Sequence, residues 1–476
     1  MRQLPLVSVV LCACGAIAVD PSSSPARDEA DAAADSGVGQ APDPVRPESR
    51  DCRPATDAVE PAGPVSLPPG VTADFAVRGV RPVIAVSPNG DAVVAWHDAG
   101  HVRVRLYRDS RWLDVETITS PDGRSRFSDL TPKVAMRADG TVVVAYNESP
   151  SHSHNVVCTR ERDANGTWSM VSTLAVTGIG SWQEPSPPIF MLAADGAGNI
   201  TALVDAEPTN GGLLAFRAPA GSGFGAASPL TTEAVRDFTF AVNASGEALV
   251  VWSEGGPVIG TAKAAAFSPA AGWGATEGPI DVGLASLSAT AEHDGSMSVL
   301  GARYFEDGRE QASVRVETAT RSPDGRWSAP TDLADLSASY ARIASDDLGR
   351  AMVAGGGWIS ECTVTSAVVR RDATGTWGAV ESIPGAPPGR TTIGEIALSR
   401  SGHGLVAWQG RRLSNGSCVS DGMHLSWLSP EGAWSPPTLL DSETDSHPTL
   451  ALTPSGRALV VWSHGDRVLA RWVDPP

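Results

Sequence analysis

The chain has 476 residues, with 49 Gly, 37 Pro, 19% charged residues and a formal net charge of −18. This negative charge argues against a nucleic-acid-binding protein, because phosphate backbones are bound by basic surfaces. No apolar run reaches the ~18–20 residues that a membrane-spanning helix needs. Trp supplies 14 of the aromatic residues against 9 Phe and 4 Tyr, so we expect Trp to have a repeated structural role.

The first 18 residues have the pattern of a secretory signal peptide. Arg2 precedes an apolar stretch, residues 4–13, that is too short to span a bilayer. Two processing sites compete. The sequence Leu-Cys-Ala-Cys ending at Cys14 is similar to a bacterial lipobox, in which Cys14 would carry the lipid, and Ala-Ile-Ala ending at Ala18 is similar to an ordinary cleavage site. The lipobox is favoured, because a cysteine directly after the apolar stretch has no other evident use in an exported chain. The alternative is a secreted or periplasmic protein.

Residues 19–60 are predicted to be a disordered tether. They hold ten Asp or Glu, four Arg, many Pro, Ala and Ser, and no aromatic residue. Such a segment cannot bury enough apolar surface to offset its ordering entropy. The folded part is then residues 61–476, which the tether would hold away from the bacterial outer membrane or cell surface.

The rest of the chain repeats one unit eight times. Each copy has a short apolar run, a polar turn that ends in Gly, and a second apolar run that often ends in Trp, as in residues 81–96. The turn glycines are Gly90, Gly140, Gly198, Gly246, Gly295, Gly349, Gly402 and Gly456. Their mean spacing is ~52 residues, which is typical of a four-stranded propeller blade.

This pattern predicts an all-β chain folded as an eight-bladed β-propeller of four-stranded antiparallel blades. After each hairpin comes a third run, a turn with an aromatic residue such as Trp112 or Trp168, and a fourth strand. The last copy ends after its third strand, so we expect an N-terminal strand to complete the last blade and close the ring. We assign residues 61–67 to this strand, since they resemble fourth strands elsewhere. Seven blades with an irregular extra hairpin is the alternative.

Three of the turns resemble the Asp-box (BNR-like) repeats of the sialidase-type β-propeller superfamily, which are also found in bacterial exported lipoproteins. The family pattern is Ser/Thr-x-Asp-x-Gly-x-x-Trp, and the copies here have a shorter spacing. They are Ser322-Pro-Asp-Gly-Arg-Trp327, Ser429-Pro-Glu-Gly-Ala-Trp434 and Asp372-Ala-Thr-Gly-Thr-Trp377. In that family the box is structural, so the resemblance implies a fold and not an activity.

The resemblance also implies where a ligand site would lie. Sialidases of this superfamily hold a carboxylate with three arginines beside a Tyr nucleophile. The candidate ligand-binding residues here are arginines and a tyrosine near the starts of first strands, and two loop tryptophans that could stack on a sugar: Arg81, Arg236, Arg342, Arg390, Tyr340, Trp182 and Trp358. No catalytic residue is assigned, because those sialidases have six blades, their Arg-Ile-Pro signature is missing, and loop arginines are more often solvated charges or carboxylate partners.

Other chemistry has weaker signals in the sequence. Glycoside hydrolysis needs two carboxyls at a defined separation, and the loops offer Glu148, Glu184, Asp205 and Glu207 without fixing any distance. His152 and His154 could share a metal ion, but a third ligand is missing from the sequence around them. We therefore predict no metal site and no cofactor.

The cysteines fit an oxidising compartment. Four remain once Cys12 and Cys14 are set aside with the signal sequence. Cys362 and Cys418 hold similar places in adjacent repeats, so a disulfide between them is the favoured pairing. Cys52 and Cys158 would then pair and join the tether to the second blade. Four cysteines allow three pairings, so the other two stay open.

These features predict an exported, lipid-anchored, monomeric propeller that acts as a binding or scaffolding module for an unknown protein or glycan at the cell envelope. Its contact with the membrane would be through the lipid anchor alone. The alternative is a sialidase-like hydrolase that cleaves glycans with the loop arginines. Binding is favoured, because the sequence has no convergent set of catalytic residues. A purely structural envelope component ranks third.

Overall fold

The structure is a computed structural model that describes residues 73–476 with short gaps. The gaps are residues 120–130, 152–153, 179–188, 207–211, 255–260, 293, 306–312, 334–335, 337–339, 347, 361–362, 387–390, 415–416 and 443–447. Within these ranges the chain forms strands β1 to β32 and no helix. None of the described segments is therefore a helix that could cross a membrane.

The strands form eight antiparallel sheets, which are the blades, and each blade is numbered by the order of its first strand after β1 (Phe75–Arg78). Blade 1 contains β2 (Val80–Val86), β3 (Ala92–Asp98), β4 (His101–Arg108) and β5 (Arg111–Thr117). Blade 2 contains β6 (Lys133–Met136), β7 (Val142–Ser151), β8 (His154–Arg162) and β9 (Ser172–Gly178). Blade 3 contains β10 (Phe190–Ala194), β11 (Ile200–Asp205), β12 (Leu213–Ala218) and β13 (Ser228–Thr231). Blade 4 contains β14 (Val235–Val242), β15 (Ala248–Glu254), β16 (Thr261–Ser268), β17 (Gly272–Trp273) and β18 (Glu277–Ile280).

The second half of the chain repeats the arrangement. Blade 5 contains β19 (Ala285–Ala291), β20 (Met297–Phe305), β21 (Ser313–Arg321) and β22 (Thr331–Asp332). Blade 6 contains β23 (Tyr340–Ser345), β24 (Ala351–Ser360) and β25 (Thr363–Arg371), and isolated bridges from Val368 to Glu381 and from Arg371 to Trp377 take the place of a fourth strand. Blade 7 contains β26 (Thr391–Leu398), β27 (Gly404–Ser414), β28 (Ser417–Leu428) and β29 (Thr438–Asp441). Blade 8 contains β30 (Thr449–Leu452), β31 (Ala458–His464) and β32 (Arg467–Val473).

Strand β1 closes the ring. It pairs with β32, so blade 8 has the order β1-β32-β31-β30 and takes its outer strand from the start of the described chain. The predicted eight-bladed propeller with an N-terminal closing strand is confirmed. The strand assigned to this role was wrong, because Phe75–Arg78 and not residues 61–67 pairs with β32. Pro61 and Pro64 also lack the N–H groups that a strand ladder uses.

The repeated glycines are where the sequence predicts them, in the turns between the first and second strands. Gly90 has φ 86° and Gly140 has φ 85°, a region that side chains rarely enter. In each turn the glycine N–H donates to the carbonyl three residues earlier, Ser87 and Arg137, at 3.0 Å. Glycine therefore fixes the tight hairpin of each blade.

Each blade is buried on both faces between its neighbours. In β3, Val93 and Ala95 pack against blade 2, while Val94 and Trp96 pack against blade 8. This follows from the two-residue period of a strand, which sends successive side chains to opposite faces. The core is therefore a ring of interblade layers, and it explains why second strands are apolar at nearly every position.

Tryptophan fills two repeated positions, as predicted. The second-strand residues Trp96, Trp252, Trp408 and Trp462 are at most 1% exposed. Trp96 Nε1 donates to the Arg78 carbonyl of the closing strand at 2.9 Å, and Trp462 Nε1 donates to Asp441 Oδ2 of blade 7 at 2.9 Å. The hydrogen bonds of Trp96 and Trp462 thus join blade 8 to blade 1 and to blade 7.

The turn tryptophans join blades through an arrangement that we call the interblade clamp. Trp327 Nε1 of blade 5 donates to Glu277 on blade 4 at 2.8 Å, and Arg321 of blade 5 pairs with the same carboxylate at 2.7 Å. Glu116 on blade 1 receives Trp168 and an arginine of blade 2 in the same way, at 2.5 and 3.0 Å. The clamp gives the Asp-box-like turn a structural role in holding neighbouring blades together.

We expect Glu277→Gln to lower stability by about 1 kcal/mol at pH 7, since a partly exposed charge-assisted contact is lost. Burial works to raise the pKa of Glu277, but hydrogen bonds from Arg321 and Trp327 outweigh it and leave the pKa below its usual 4.5. The carboxylate therefore stabilises the fold above pH 4.5, and this contribution is lost as the pH falls through the lowered pKa. Urea unfolding at pH 7 and pH 3 measures it, with the exposed Glu233→Gln as control. An equal loss in both variants would contradict the clamp.

Candidate functional site

The structure places the predicted site residues in several parts of the ring. Arg81 lies in β2 with a left-handed φ of 55°, and its N–H donates to Ser463 Oγ at 3.2 Å. Arg236 is exposed near the start of β14, and Arg342 is partly buried in β23. No described contact joins these three arginines into one cluster. Their assignment as ligand-binding residues stays a prediction.

The other candidates are only partly described. Tyr340 begins β23, and its side chain is not among those described. Trp358 was predicted in a loop, which is wrong, because β24 extends through it and pairs it with Val364. The glycines at 355–357 hid this long strand in the sequence. Trp182 and Arg390 lie outside the described residues.

The innermost strands of the blades surround the axis of the ring and contact one another. Polar side chains interrupt these strands in blades 4, 6 and 7. We call three of them the channel cluster: Asp237 on β14 of blade 4, Arg342 on β23 of blade 6, and Glu395 on β26 of blade 7. The positive charge of Arg342 acts on both carboxyls, so the three groups face a common region.

Glu395 is the most unusual carboxyl of the cluster. It is 6% exposed, and its one described hydrogen bond comes from the N–H of Ile396 at 3.2 Å. Burial raises the pKa of Glu395 to about 7, although the charge of Arg342 and the Ile396 N–H oppose the shift. The carboxyl therefore exchanges its proton near neutral pH, where a general acid or a pH-dependent ligand contact is most effective.

Asp237 has the same kind of environment and is also acted on by the charge of Arg342. Burial raises its pKa, and the N–H of Leu287, which donates to Oδ2 at 3.0 Å, offsets only part of the rise. The charge of Arg342 also acts to lower it. Both carboxyls near Arg342 thus favour their neutral forms more than free carboxyls do.

Arg342 is not paired with either carboxyl. Its Nη1 donates to the Ala341 carbonyl at 3.1 Å, its buried Nε has no hydrogen-bond partner, and no carboxylate of the described chain lies within 4.0 Å. Other buried arginines are paired, such as Arg103 with Asp98 at 2.7 Å. Arg342 therefore has hydrogen-bonding capacity that the described protein does not use.

Two buried hydroxyls lie on the same innermost strands as the carboxyls. Thr239 and Thr392 lie on β14 and β26, are at most 2% exposed, and have no hydrogen-bond partner for Oγ1 among the residues described. The hydroxyl of Ser288 on β19 already has a hydrogen-bond partner, because its Oγ accepts the N–H of Ile343 at 3.2 Å. The innermost strands of blades 4, 6 and 7 therefore carry an arginine, two carboxyls and two hydroxyls, and the two hydroxyl oxygens have almost no accessible surface.

Sequence reasoning found Arg342 but missed the two carboxyls. It looked for acidic residues in the loops, whereas Asp237 and Glu395 lie within apolar innermost strands. The available signal was a carboxyl directly before a buried apolar residue of a first strand, at Phe238 and at Ile396. Of the loop candidates, Glu184 and Glu207 lie outside the described residues.

The predicted metal and disulfide residues are only partly covered. In the described part of the chain, no group of three or more His, Cys, Asp or Glu side chains could hold a metal ion. His152 and the side chain of His154 fall outside it. Cys158 is buried and disulfide-bonded. Its pairing with Cys52 stays a prediction, as does Cys362 with Cys418, because Cys52, Cys362 and the side chain of Cys418 are not described.

No family model matches the chain, and no curated protein matches it. Solved structures with a similar fold include an ulvan lyase from a new polysaccharide lyase family (TM-score 0.44, 10% identity, covering 84% of this chain and 94% of that chain). Two others are the polysaccharide lyase Uly1 (0.41, 10%, 70% and 88%) and an α-L-arabinanase of Penicillium chrysogenum (0.38, 16%, 80% and 99%). Likenesses this distant do not identify a ligand or an activity for this chain.

Proposed function

We propose that this chain is an exported, lipid-anchored propeller of the Asp-box type that binds a glycan at the channel cluster. The observation that carries the proposal is Arg342, whose guanidinium has no carboxylate partner in the described chain and whose charge acts on two carboxyls of raised pKa, Asp237 and Glu395. A buried polar group without a partner costs free energy, and native proteins keep few of them. A ligand that accepts hydrogen bonds from Arg342 would recover this cost.

The polarity and depth of the cluster favour a glycan over a protein partner. Small-ligand sites are concave and carry a few placed polar groups, whereas protein partners bind at flatter exposed surfaces. The cluster lies on the innermost strands, and Asp237 and Arg342 are its partly exposed members, so these two side chains are the ones within reach of a ligand. Sugar hydroxyls both donate and accept hydrogen bonds, so they match a carboxyl and a guanidinium together.

The location is part of the same proposal and is supported by the sequence. The signal-like residues 1–18, the lipobox ending at Cys14 and the acidic tether would place a monomeric propeller at the cell envelope. Labelled palmitate incorporation into the full chain and into Cys14→Ala tests the anchor. We expect label in the first protein alone, and equal labelling of both would contradict lipidation at Cys14.

The binding proposal is tested on a broad panel of oligosaccharides, with affinities measured by calorimetry. We expect Arg342→Met to weaken binding of the best ligand about 10- to 100-fold, which corresponds to one charge-assisted hydrogen bond. The matched control is Arg315→Met, because Arg315 is exposed on blade 5 and pairs with Asp332 at 3.5 Å. Equal affinity for wild type and Arg342→Met would overturn the proposed site, and a panel with no ligand would overturn glycan binding.

A second candidate function is glycan cleavage, and Glu395 is the observation that favours it. A carboxyl with a pKa of about 7 can protonate a leaving group at neutral pH, and Asp237 would be the second carboxyl that the reaction needs. We expect the activity to fall as the pH rises through 7, and to be absent in Glu395→Gln. If the protein binds panel ligands but releases them uncleaved at pH 5–8, cleavage of those glycans is excluded. The binding function would then stand alone.

A further inference from the structure

A cavity of about 290 Å³ lies between blades 4 and 5, beside the interblade clamp. It is lined mainly by residues 278–281 of blade 4 and by Trp327, Ser328 and Pro330 of blade 5. Most of these residues are exposed, so the cavity is open to solvent. Its volume is at the small end of the range for ligand pockets, which suits one ring-sized group.

A β-bulge in β18 supplies part of this cavity. Three clamp glutamates accept a turn tryptophan, and each is followed by a buried isoleucine. The pairs are Glu116 with Ile118, Glu277 with Ile280, and Glu381 with Ile383. The second pair has one residue more between its members, and the pairing of β18 with β16 shifts by one residue there. The intervening residues, Gly278 and Pro279, line the cavity, and bulges of this kind are common beside functional sites.

The indole of Trp327 is a fixed apolar wall of the cavity. Its Nε1 donates to Glu277 at 2.8 Å, and Arg321 pairs with the same carboxylate at 2.7 Å. The indole N–H is therefore used within the protein, and Trp327 offers its ring carbons to a ligand. Pro279 and Pro330 add rigid rings without N–H donors. Such walls suit the apolar C–H face of a ligand ring.

Asp281 is the polar group that the cavity offers to a ligand. Its side chain is 75% exposed, and Arg303 Nη2 donates to its Oδ1 at 2.7 Å, which positions the carboxylate. The Ser328 hydroxyl already has two backbone partners. The clamp itself does not require Asp281, because the residue after the isoleucine is Thr119 in the blade 1 copy and Pro384 in the blade 6 copy.

The charges beside the cavity are compensated in pairs. Arg303 pairs with both Asp281 and Glu317, at 2.7 and 2.8 Å, and Arg321 pairs with Glu277. Asp281 therefore offers hydrogen-bond acceptors more than it offers uncompensated charge. A neutral ring with several O–H donors and an apolar face matches these groups better than a cation does.

We propose that this cavity, which we call the blade 4–5 pocket, binds one pyranose unit of a glycan. The sugar would pack its C–H face on Trp327 and donate hydroxyl hydrogen bonds to Asp281. The pocket lies at the outer strand β18, whereas the channel cluster lies on innermost strands of blades 4, 6 and 7. The inference therefore does not depend on binding at the channel cluster.

The experiment is fluorine NMR on the full chain labelled with 5-fluorotryptophan, with signals assigned from Trp327→Phe and Trp168→Phe. The probes are the methyl glycosides of glucose, galactose, mannose, xylose and rhamnose. We expect at least one to shift the Trp327 signal. The Trp168 signal is the internal control and should stay unchanged, because the blade 1 copy of the clamp has Thr119 in place of Asp281.

Affinities come from the same titrations of three variants. We expect Asp281→Ala to bind the best glycoside about tenfold more weakly, and Asp332→Ala, an exposed acidic position on blade 5, to bind it like wild type. Arg342→Met should keep the Trp327 response, which separates this pocket from the channel cluster. No Trp327 shift with any glycoside, or equal affinity for Asp281→Ala and wild type, would overturn the pocket. A Trp327 shift with choline and with no glycoside would overturn the assignment to a sugar.

Discussion

Replacing Trp462 with alanine is expected to lower the free energy of unfolding by about 3–5 kcal/mol, the range seen when a large buried aromatic is removed. The indole is 0% exposed, and the space it leaves lies inside the layer between blades 7 and 8. The change also removes the Nε1 donor of Asp441, whose side chain is 0% exposed. A buried carboxylate that loses a donor adds to the loss.

Urea unfolding followed by Trp fluorescence and by circular dichroism measures this effect on the purified propeller. Met170→Ala is the control, because Met170 is 78% exposed, and we expect a change within about 0.5 kcal/mol. A loss below 1 kcal/mol for Trp462→Ala would contradict the burial of this indole between blades 7 and 8. If one of the two probes shows an earlier unfolding transition than the other, blades 7 and 8 unfold before the rest of the ring.

Replacing Glu395 with glutamine is expected to change the pH dependence of stability more than any other single carboxyl substitution described above. Its pKa is raised from 4.5 to about 7, so the native state binds a proton that the unfolded state has already released. This stability is fully present below pH 4.5, declines between pH 4.5 and 7, and is absent above pH 7. The decline amounts to about 3 kcal/mol at 1.36 kcal/mol per pH unit.

The measurement is the difference in unfolding free energy between Glu395→Gln and wild type from pH 4 to pH 8. We expect the variant to gain about 3 kcal/mol on wild type across this range, because glutamine does not ionise. Glu233→Gln, at an exposed position, should track wild type throughout. A difference that stays constant from pH 4 to pH 8 would show that Glu395 titrates like a free carboxyl.

The fold could be predicted from the sequence because its causes are local. Eight hairpin turns need a glycine with positive φ, as at Gly90, and eight second strands need an apolar residue at nearly every position. The tryptophans repeat for the same reason, since each interblade layer has similar space to fill. These requirements recur every ~52 residues, so the blades and their number follow from the repeat.

The closing strand could not be identified in this way. Phe75–Arg78 is only four residues long, and what selects it is its pairing with β32 nearly 400 residues later. Local patterning favoured residues 61–67, which resemble other fourth strands. Pairing over such sequence distance depends on ring geometry, which no short window of sequence contains.

The candidate site was predicted only in part for a related reason. Arg342 stood out because it is charged and near the start of a strand. The other features depend on the assembled ring. Glu395 is buried, and the charge of Arg342 acts on both Glu395 and Asp237, only when blades 4, 6 and 7 surround one axis. The Asp-box-like turns did not indicate the candidate site, because they form interblade clamps near the outer strands.

The most direct test of the channel cluster is a crystal structure of the protein with the tightest ligand from the oligosaccharide panel. We expect a ligand oxygen within hydrogen-bond distance of the Arg342 guanidinium, with Glu395 or Asp237 contacting the same sugar unit. A ligand bound elsewhere, with Arg342 still donating only to the Ala341 carbonyl, would contradict the assignment of the channel cluster as the functional site.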